Sequence, residues 1–148
     1  MSYGYRHIIK KEIFENFKTI NLHISLLPWN RGSNPNFWSF YDNTPKGVTI
    51  HKVAKGLDTG DILFQKEVSF LDHEDDLEKT YLRLKREMNA LLELEWQRLV
   101  DGDYTPRKQN LKSGTHYTSK DFSSISNKLK NGWKTKTAEV NKWKKEQI

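Results

Sequence analysis

The segment from Ile20 to Gln65 constrains the fold most, because it sets two apolar runs around loops that carry polar chemistry. The first run, Thr19 to Ile24, holds Asn21 and His23. The second, Val48 to Val53, holds His51 and leads into Leu57-Asp58-Thr59-Gly60. Asn21 and His23 stand two residues apart, so on a strand they share one face. An amide, two imidazoles and a carboxylate are thereby mounted where strands give way to loops. Open α/β sheets carry their chemistry at such strand ends.

The flanking elements follow from pattern. Ser2-Tyr3 reads as the end of a strand turning at Gly4, and a short helix is expected over 10–16 with Ile13, Phe14 and Phe17 turned inward. Ile20, Leu22 and Ile24 suit a sheet covered on both faces. Pro28, Gly32 and Pro35 break the next segment into a loop, after which Asn34 is expected to cap a helix over 35–42. Phe37, Trp38, Phe40 and Tyr41 give that helix an aromatic body suited to packing. Ile62 to Val68 is a third strand, antiparallel to the second because the connection is short. The longest periodic pattern predicts a helix over 73–100, with Leu77, Tyr81, Leu84, Met88, Leu91, Leu92, Leu94 and Leu99 recurring at helical steps. Asp72, Glu74, Asp75 and Asp76 crowd its start, where the helix dipole favours negative charge. Beyond Asp101-Gly102-Asp103, Tyr104 to Lys120 reads as irregular and polar, and two short helices over 119–130 and 136–145 finish the chain. The fold class is α/β, with a partial sheet of three to four strands, flanking helices and a small helical tail.

At 148 residues the chain is one domain's worth. It holds no cysteine, which excludes disulfides and thiolate metal sites. No apolar run approaches the roughly 18 residues that span a bilayer. Arg6, Lys10 and Lys11 interrupt any signal-peptide pattern at Met1, so no membrane partner is expected and the cytoplasm is the expected compartment. The net charge of +6 is concentrated late, from Lys128 to Lys145. Such a run reads first as the solvated face of terminal helices, with nucleic acid as the lesser alternative.

Taken in order, Asn21-x-His23, Ser25-Leu26-Leu27-Pro28, Arg31-Gly32, Pro35, Gly47-Val48-Thr49-Ile50-His51 and Leu57-Asp58-Thr59-Gly60-Asp61-Ile62-Leu63-x-Gln65 resemble the folate-dependent formyltransferases. That family includes methionyl-tRNA, glycinamide ribonucleotide and amino-sugar-nucleotide formyltransferases. The resemblance runs over about 2–100 and implies a Rossmann-like sheet, with 1–102 as the C-terminal portion of the catalytic domain and 103–148 as a basic tail. It implies 10-formyltetrahydrofolate as formyl donor and no metal. Asn21 matches the asparagine that donates to the formyl oxygen, His23 the neighbouring acid or electrostatic stabiliser, and Asp58 the aspartate that orients the histidine and assists proton removal. Tyr5, Ile8, Ile9, Leu57, Asp58 and Gly60 match the donor-binding loops, and Arg31 and His51 are the candidate substrate contacts. Such residues suit the chemistry, because an amine attacking a formyl carbon gathers negative charge on oxygen and fixed donors stabilise it. Read without the resemblance, Asn21 and His23 are also compatible with a buried pair that does no chemistry, and Asp58 with a turn residue.

Family members begin with a βαβ half that this sequence lacks before Met1. A fragment, a short diverged protein and a sheet completed by another copy are the three readings. Unpaired strand edges and apolar patches invite association, so a homo-oligomer burying the strand of Asn21 is expected. The segment after Val100 does not resemble the tRNA-gripping barrel of the tRNA enzymes. The favoured activity is therefore formyl transfer to a primary amine of a small sugar or nucleotide-linked substrate. A methionyl-tRNA formyltransferase-like protein and an inactive interaction module are the alternatives.

Overall fold

The computed structural model describes residues 1–148 except 5, 6, 8, 71–74 and 146–148. In chain order the elements are β1 (Ser2–Tyr3), α1 (Lys11–Asn16), β2 (Ile20–His23), β3 (Arg31–Gly32), α2 (Pro35–Tyr41), β4 (Gly47–Lys52), β5 (Ile62–Glu67), α3 (Leu77–Asp101), β6 (His116–Tyr117), α4 (Ser119–Ile125) and α5 (Thr137–Lys145). The main sheet runs β1-β2-β4-β5, and β3 pairs with β6 in a two-stranded sheet. β1 and β2 are parallel, whereas β2–β4 and β4–β5 are antiparallel, the latter pair as its short connection predicts.

Register sorts the chemistry by face. Asn21 stands opposite His51, His23 opposite Thr49, and Thr49 opposite Gln65. All five therefore share one face, and Leu22, Val48, Ile50 and Phe64 share the other. The apolar set packs against Leu84, Met88 and Leu91 of α3. The expected cover on both faces is seen at β4, where Gly47 to His51 are all buried and α3 lies on the apolar face. The polar face is closed by the loop after β2: Thr49 Oγ1 donates to Ser25 O at 2.7 Å and Gln65 Nε2 to Leu27 O at 2.8 Å.

A second core gathers Phe37, Trp38, Phe40 and Tyr41 of α2 with Leu77, Ile125, Val140 and Trp143. The aromatic body of α2 is packing, as its sequence indicates. Trp38 stacks on Tyr117 with ring centroids 3.7 Å apart. Asp42, at the end of α2, accepts from Tyr117 Oη at 2.7 Å and from Lys144 Nζ at 2.6 Å, which ties the basic tail to the first half of the chain.

Four local expectations change. α1 buries none of its residues, and Ile13 and Phe17 are exposed rather than inward. Asn34 does not cap α2 through its side chain; it takes a left-handed φ of 53° and donates to Ser33 Oγ instead. The expected start of the long helix at His73, with Asp72 and Glu74, lies outside the described residues. α3 opens at Leu77, where Asp76 accepts from Lys79 N at 2.8 Å. Its buried stripe is Leu77, Thr80, Leu84, Met88 and Leu91, so Tyr81 and Leu94 fall to either side and stay exposed. A polar threonine fits that stripe because its Oγ1 donates to Leu77 O.

Candidate active site

Asn21 and His51 meet because they are cross-strand neighbours on the polar face. Asn21 Nδ2 lies 3.3 Å from His51 Nε2 and donates to Asp58 Oδ1 at 3.1 Å. Asp58 reaches them from the turn after β4, where it holds a left-handed φ of 52° that aspartate tolerates better than most residues. His51 Nε2 is 3.3 Å from Asp58 Oδ1, and His23 Nδ1 is 3.5 Å from Asp58 Oδ2. The amide, both imidazoles and the carboxylate thus converge on Asp58.

The rings are anchored from behind. His23 Nε2 donates to Asn30 O at 3.0 Å, and His51 Nδ1 to Lys52 O at 2.7 Å. Both side chains are nearly closed to solvent, and so is Asp58. Burial opposes the charge on Asp58. The field of His23, the hydrogen bond and field of His51, and donation from Gly32 N at 2.9 Å outweigh it, and hold the carboxyl well below the usual range. A carboxylate so placed is a fixed anion at neutral pH and a weak base by itself.

Two glycines make the arrangement possible. A Cβ on Gly60 would stand 1.8 Å from Lys52 O, and one on Gly32, at φ 94°, would stand 2.1 Å from Tyr117 O. Gly60→Ala is therefore expected to destabilise the fold by about 3 kcal/mol. A shifted chemical-denaturation midpoint checks this.

The other expected site residues divide. Leu57 is exposed at the rim, 3.1 Å from the position of a Cβ on Gly32. Arg31 directs Nε and Nη2 to the carbonyls of Thr115 and Leu111, at 3.4 and 3.5 Å. Ile9 is half-buried ahead of α1, and Tyr5 and Ile8 lie outside the described residues. Sequence reading missed Asn30, Gln109 and Thr115. Asn30 is fully buried at φ 56°, its backbone N donates to Thr115 Oγ1 at 2.7 Å, and its Oδ1 accepts from Thr44 Oγ1 at 2.7 Å. Gln109 Nε2 donates to the carbonyls of Asp58 and Gly60, at 2.9 and 2.6 Å. Only the preference of asparagine for left-handed turns could have flagged Asn30, and nothing local flags the other two. Among the described residues no group of three or more His, Cys, Asp or Glu side chains is arranged to hold a metal ion. None of their helices is long and apolar enough to cross a membrane.

Residues 2–94 match the sequence profile of the formyl transferase family. A methionyl-tRNA formyltransferase of Thermodesulfovibrio yellowstonii is 40% identical over 109 residues, 72% of this chain and 35% of that protein. The chain spans little more than a third of the length of the first curated relatives it matches. Among solved structures, the formyltransferase PseJ from Anoxybacillus kamchatkensis, in complex with UDP-4,6-dideoxy-4-formamido-L-AltNAc and tetrahydrofolate, superposes with a TM-score of 0.89 at 43% identity, over 94% of this chain and 74% of that one. A methionyl-tRNA formyltransferase from Clostridium thermocellum superposes with a TM-score of 0.58 at 27% identity, over 79% of this chain and 51% of that one. From Ser2 through most of α3, around the cluster built on Asp58, this chain belongs to the formyltransferase family.

Proposed function

We propose that the chain transfers a formyl group from 10-formyltetrahydrofolate to the primary amine of a nucleotide-linked amino sugar. The observation that carries this is the convergence of Asn21, His23 and His51 on Asp58. The donor set fits a formyl group, since a half-buried amide and a buried carboxylate flanked by imidazoles suit an acyl oxygen and an amine proton. Leu57, Asp58 and Gly60 would hold the donor on the turn after β4. When bound, 10-formyltetrahydrofolate supplies the carbon that the amine attacks.

Each residue then has a role that its contacts permit. Asn21 Nδ2 donates to Asp58 in the free chain. It turns from that partner to donate to the acyl oxygen, where charge develops. His23 is held at both ring nitrogens, by Asn30 O and Asp58. Its role is accordingly electrostatic and positional rather than direct donation to that oxygen. Asp58, too weak a base alone, fixes both rings and stabilises the ammonium that attack creates, whose proton leaves to water.

The amino-sugar reading is supported by the higher identity and TM-score of the likeness to PseJ, 43% and 0.89 against 27% and 0.58 for the tRNA enzyme. The superposition on PseJ, whose complex holds a nucleotide-linked formamido sugar, covers 94% of this chain. That on the Clostridium thermocellum tRNA enzyme covers 79%. Supplying the chain with 10-formyltetrahydrofolate and either a uridine-diphosphate amino sugar or methionyl-tRNA tests the reading through tetrahydrofolate release. Release with the amino sugar alone is expected. Release with methionyl-tRNA alone, or with neither, overturns it.

The proposal includes self-association, but not by edge pairing of the strand of Asn21, because β1 and β4 flank β2 on both sides. β1 lies at one edge of the sheet, and the flank of α3 exposes Tyr81 and Trp96. Light scattering at working concentration is expected to give a multiple of the single-chain mass, and a strictly single-chain mass contradicts this.

A further inference from the structure

Residues 109–117 lie outside the family-matched stretch, yet they grip both loops that hold the Asp58 cluster. Thr115 Oγ1 accepts from Asn30 N at 2.7 Å and from Asn30 Nδ2 at 3.3 Å. Asn30 is fully buried, and its carbonyl is the acceptor for His23 Nε2. One step further, Thr115 O accepts from Arg31 N at 3.1 Å, and β6 pairs with β3 in parallel, Gly32 opposite Tyr117. That pairing sets Gly32, whose N–H donates to Asp58 Oδ2. From the other side, Gln109 Nε2 bridges the carbonyls of Asp58 and Gly60 and pins the left-handed turn that presents the carboxylate. The backbone approaches so closely that a Cβ on Gly114 would stand 2.2 Å from Pro28 O.

The geometry points to Gln109 and Thr115 as positioning residues for the transfer. Thr115 fixes the Nε2 end of the His23 ring through Asn30. Gln109 fixes the Nδ1 end through the Asp58 turn. Neither touches the reacting atoms; together they set the direction in which the ring and the carboxylate face. A half-buried threonine hydroxyl that takes two donors from one asparagine cannot be replaced by an isosteric methyl without leaving both donors without that partner. An error of about 1 Å in a catalytic group can slow the reaction on the order of 10²-fold.

This inference rests on the formyl-transfer reading of the site, not on the identity of the acceptor. The test compares Thr115→Val, Thr115→Ser and Gln109→Met in the full chain by two readouts. The first is the imidazole signals of His23 in ¹H–¹⁵N spectra, taken without donor or acceptor. The second is kcat against KM for 10-formyltetrahydrofolate, with whichever amine the wild type accepts. Thr115→Val is expected to move or lose the His23 Nε2–H signal and lower kcat roughly 10- to 100-fold with little change in KM. Thr115→Ser, which keeps the hydroxyl, restores both. Gln109→Met is expected to move the Nδ1 signal and lower kcat, and it decides the matter should Thr115→Val not fold. Unmoved ring signals overturn the inference, and so does a Thr115→Ser variant no better than Thr115→Val. Moved signals with an unchanged kcat refute the role in transfer. Because the spectra need no turnover, they decide the positioning of His23 even if the amino-sugar reading fails.

Discussion

Asp58→Asn is expected to slow formyl transfer by roughly 10³- to 10⁴-fold, the scale seen when an orienting carboxylate is neutralised. The size follows from its contacts. Its two oxygens face Asn21 Nδ2, His51 Nε2, His23 Nδ1 and Gly32 N. An amide in its place has one acceptor oxygen and a donor that confronts groups already donating. KM for the donor should change far less than kcat, because the carboxylate acts on charge that moves during the reaction.

The same carboxyl gives a pH signature that does not depend on turnover. Burial pushes its pKa up, but His23, His51 and Gly32 pull it lower still, so its folded value lies below the unfolded one. Such a group contributes stability that is fully present above the unfolded pKa, about 3.9, and is lost as pH falls toward the folded value. Between pH 5 and pH 3 the wild type should lose about 1 kcal/mol more stability than Asp58→Asn, which cannot titrate there. Urea denaturation of both proteins at the two pH values measures the difference. An equal loss in both would mean that the carboxyl is not held in its charged form.

Asn21→Ala is expected to lower kcat by roughly 10²- to 10³-fold, the cost of removing one fixed donor to a developing oxyanion. Here the consequence for stability should be small. Asn21 is only half-buried, and its loss leaves Asp58 with Gly32 and both imidazoles. Tetrahydrofolate release measures the rate, and a melting curve close to that of the wild type separates lost chemistry from lost fold. A variant that turns over at the wild-type rate would remove Asn21 from the reaction.

The core of the site was legible because its members obey a short-range rule. Asn21 and His23 share a face by their spacing of two, and an antiparallel neighbour bearing His51 brings a third group to it. Asp58 was legible only through the order of motifs, since a turn residue carries no periodic signal. Asn30, Gln109 and Thr115 escaped for a physical reason. They act through backbone groups far along the chain, 85 residues apart for Asn30 and Thr115 and 51 for Gln109 and Asp58. A run of Thr, Gln, Asn and Lys reads from sequence as solvated loop. Conversely, Ile13 and Phe17 looked like core because they are apolar at helical spacing, but α1 buries nothing. Thr80 lies in the stripe where Tyr81 was expected because a threonine can bond back to its own helix.

A double-mutant cycle on tetrahydrofolate release tests the convergence most directly. Asn21 and Asp58 are joined by a 3.1 Å hydrogen bond and, in the proposed transfer, serve one reacting centre, so their losses should not multiply. The Asn21→Ala, Asp58→Asn double variant is expected to be no more than a few-fold slower than Asp58→Asn alone. Losses that multiply in full would mean that the two side chains act apart, and the account of a single constellation would fail.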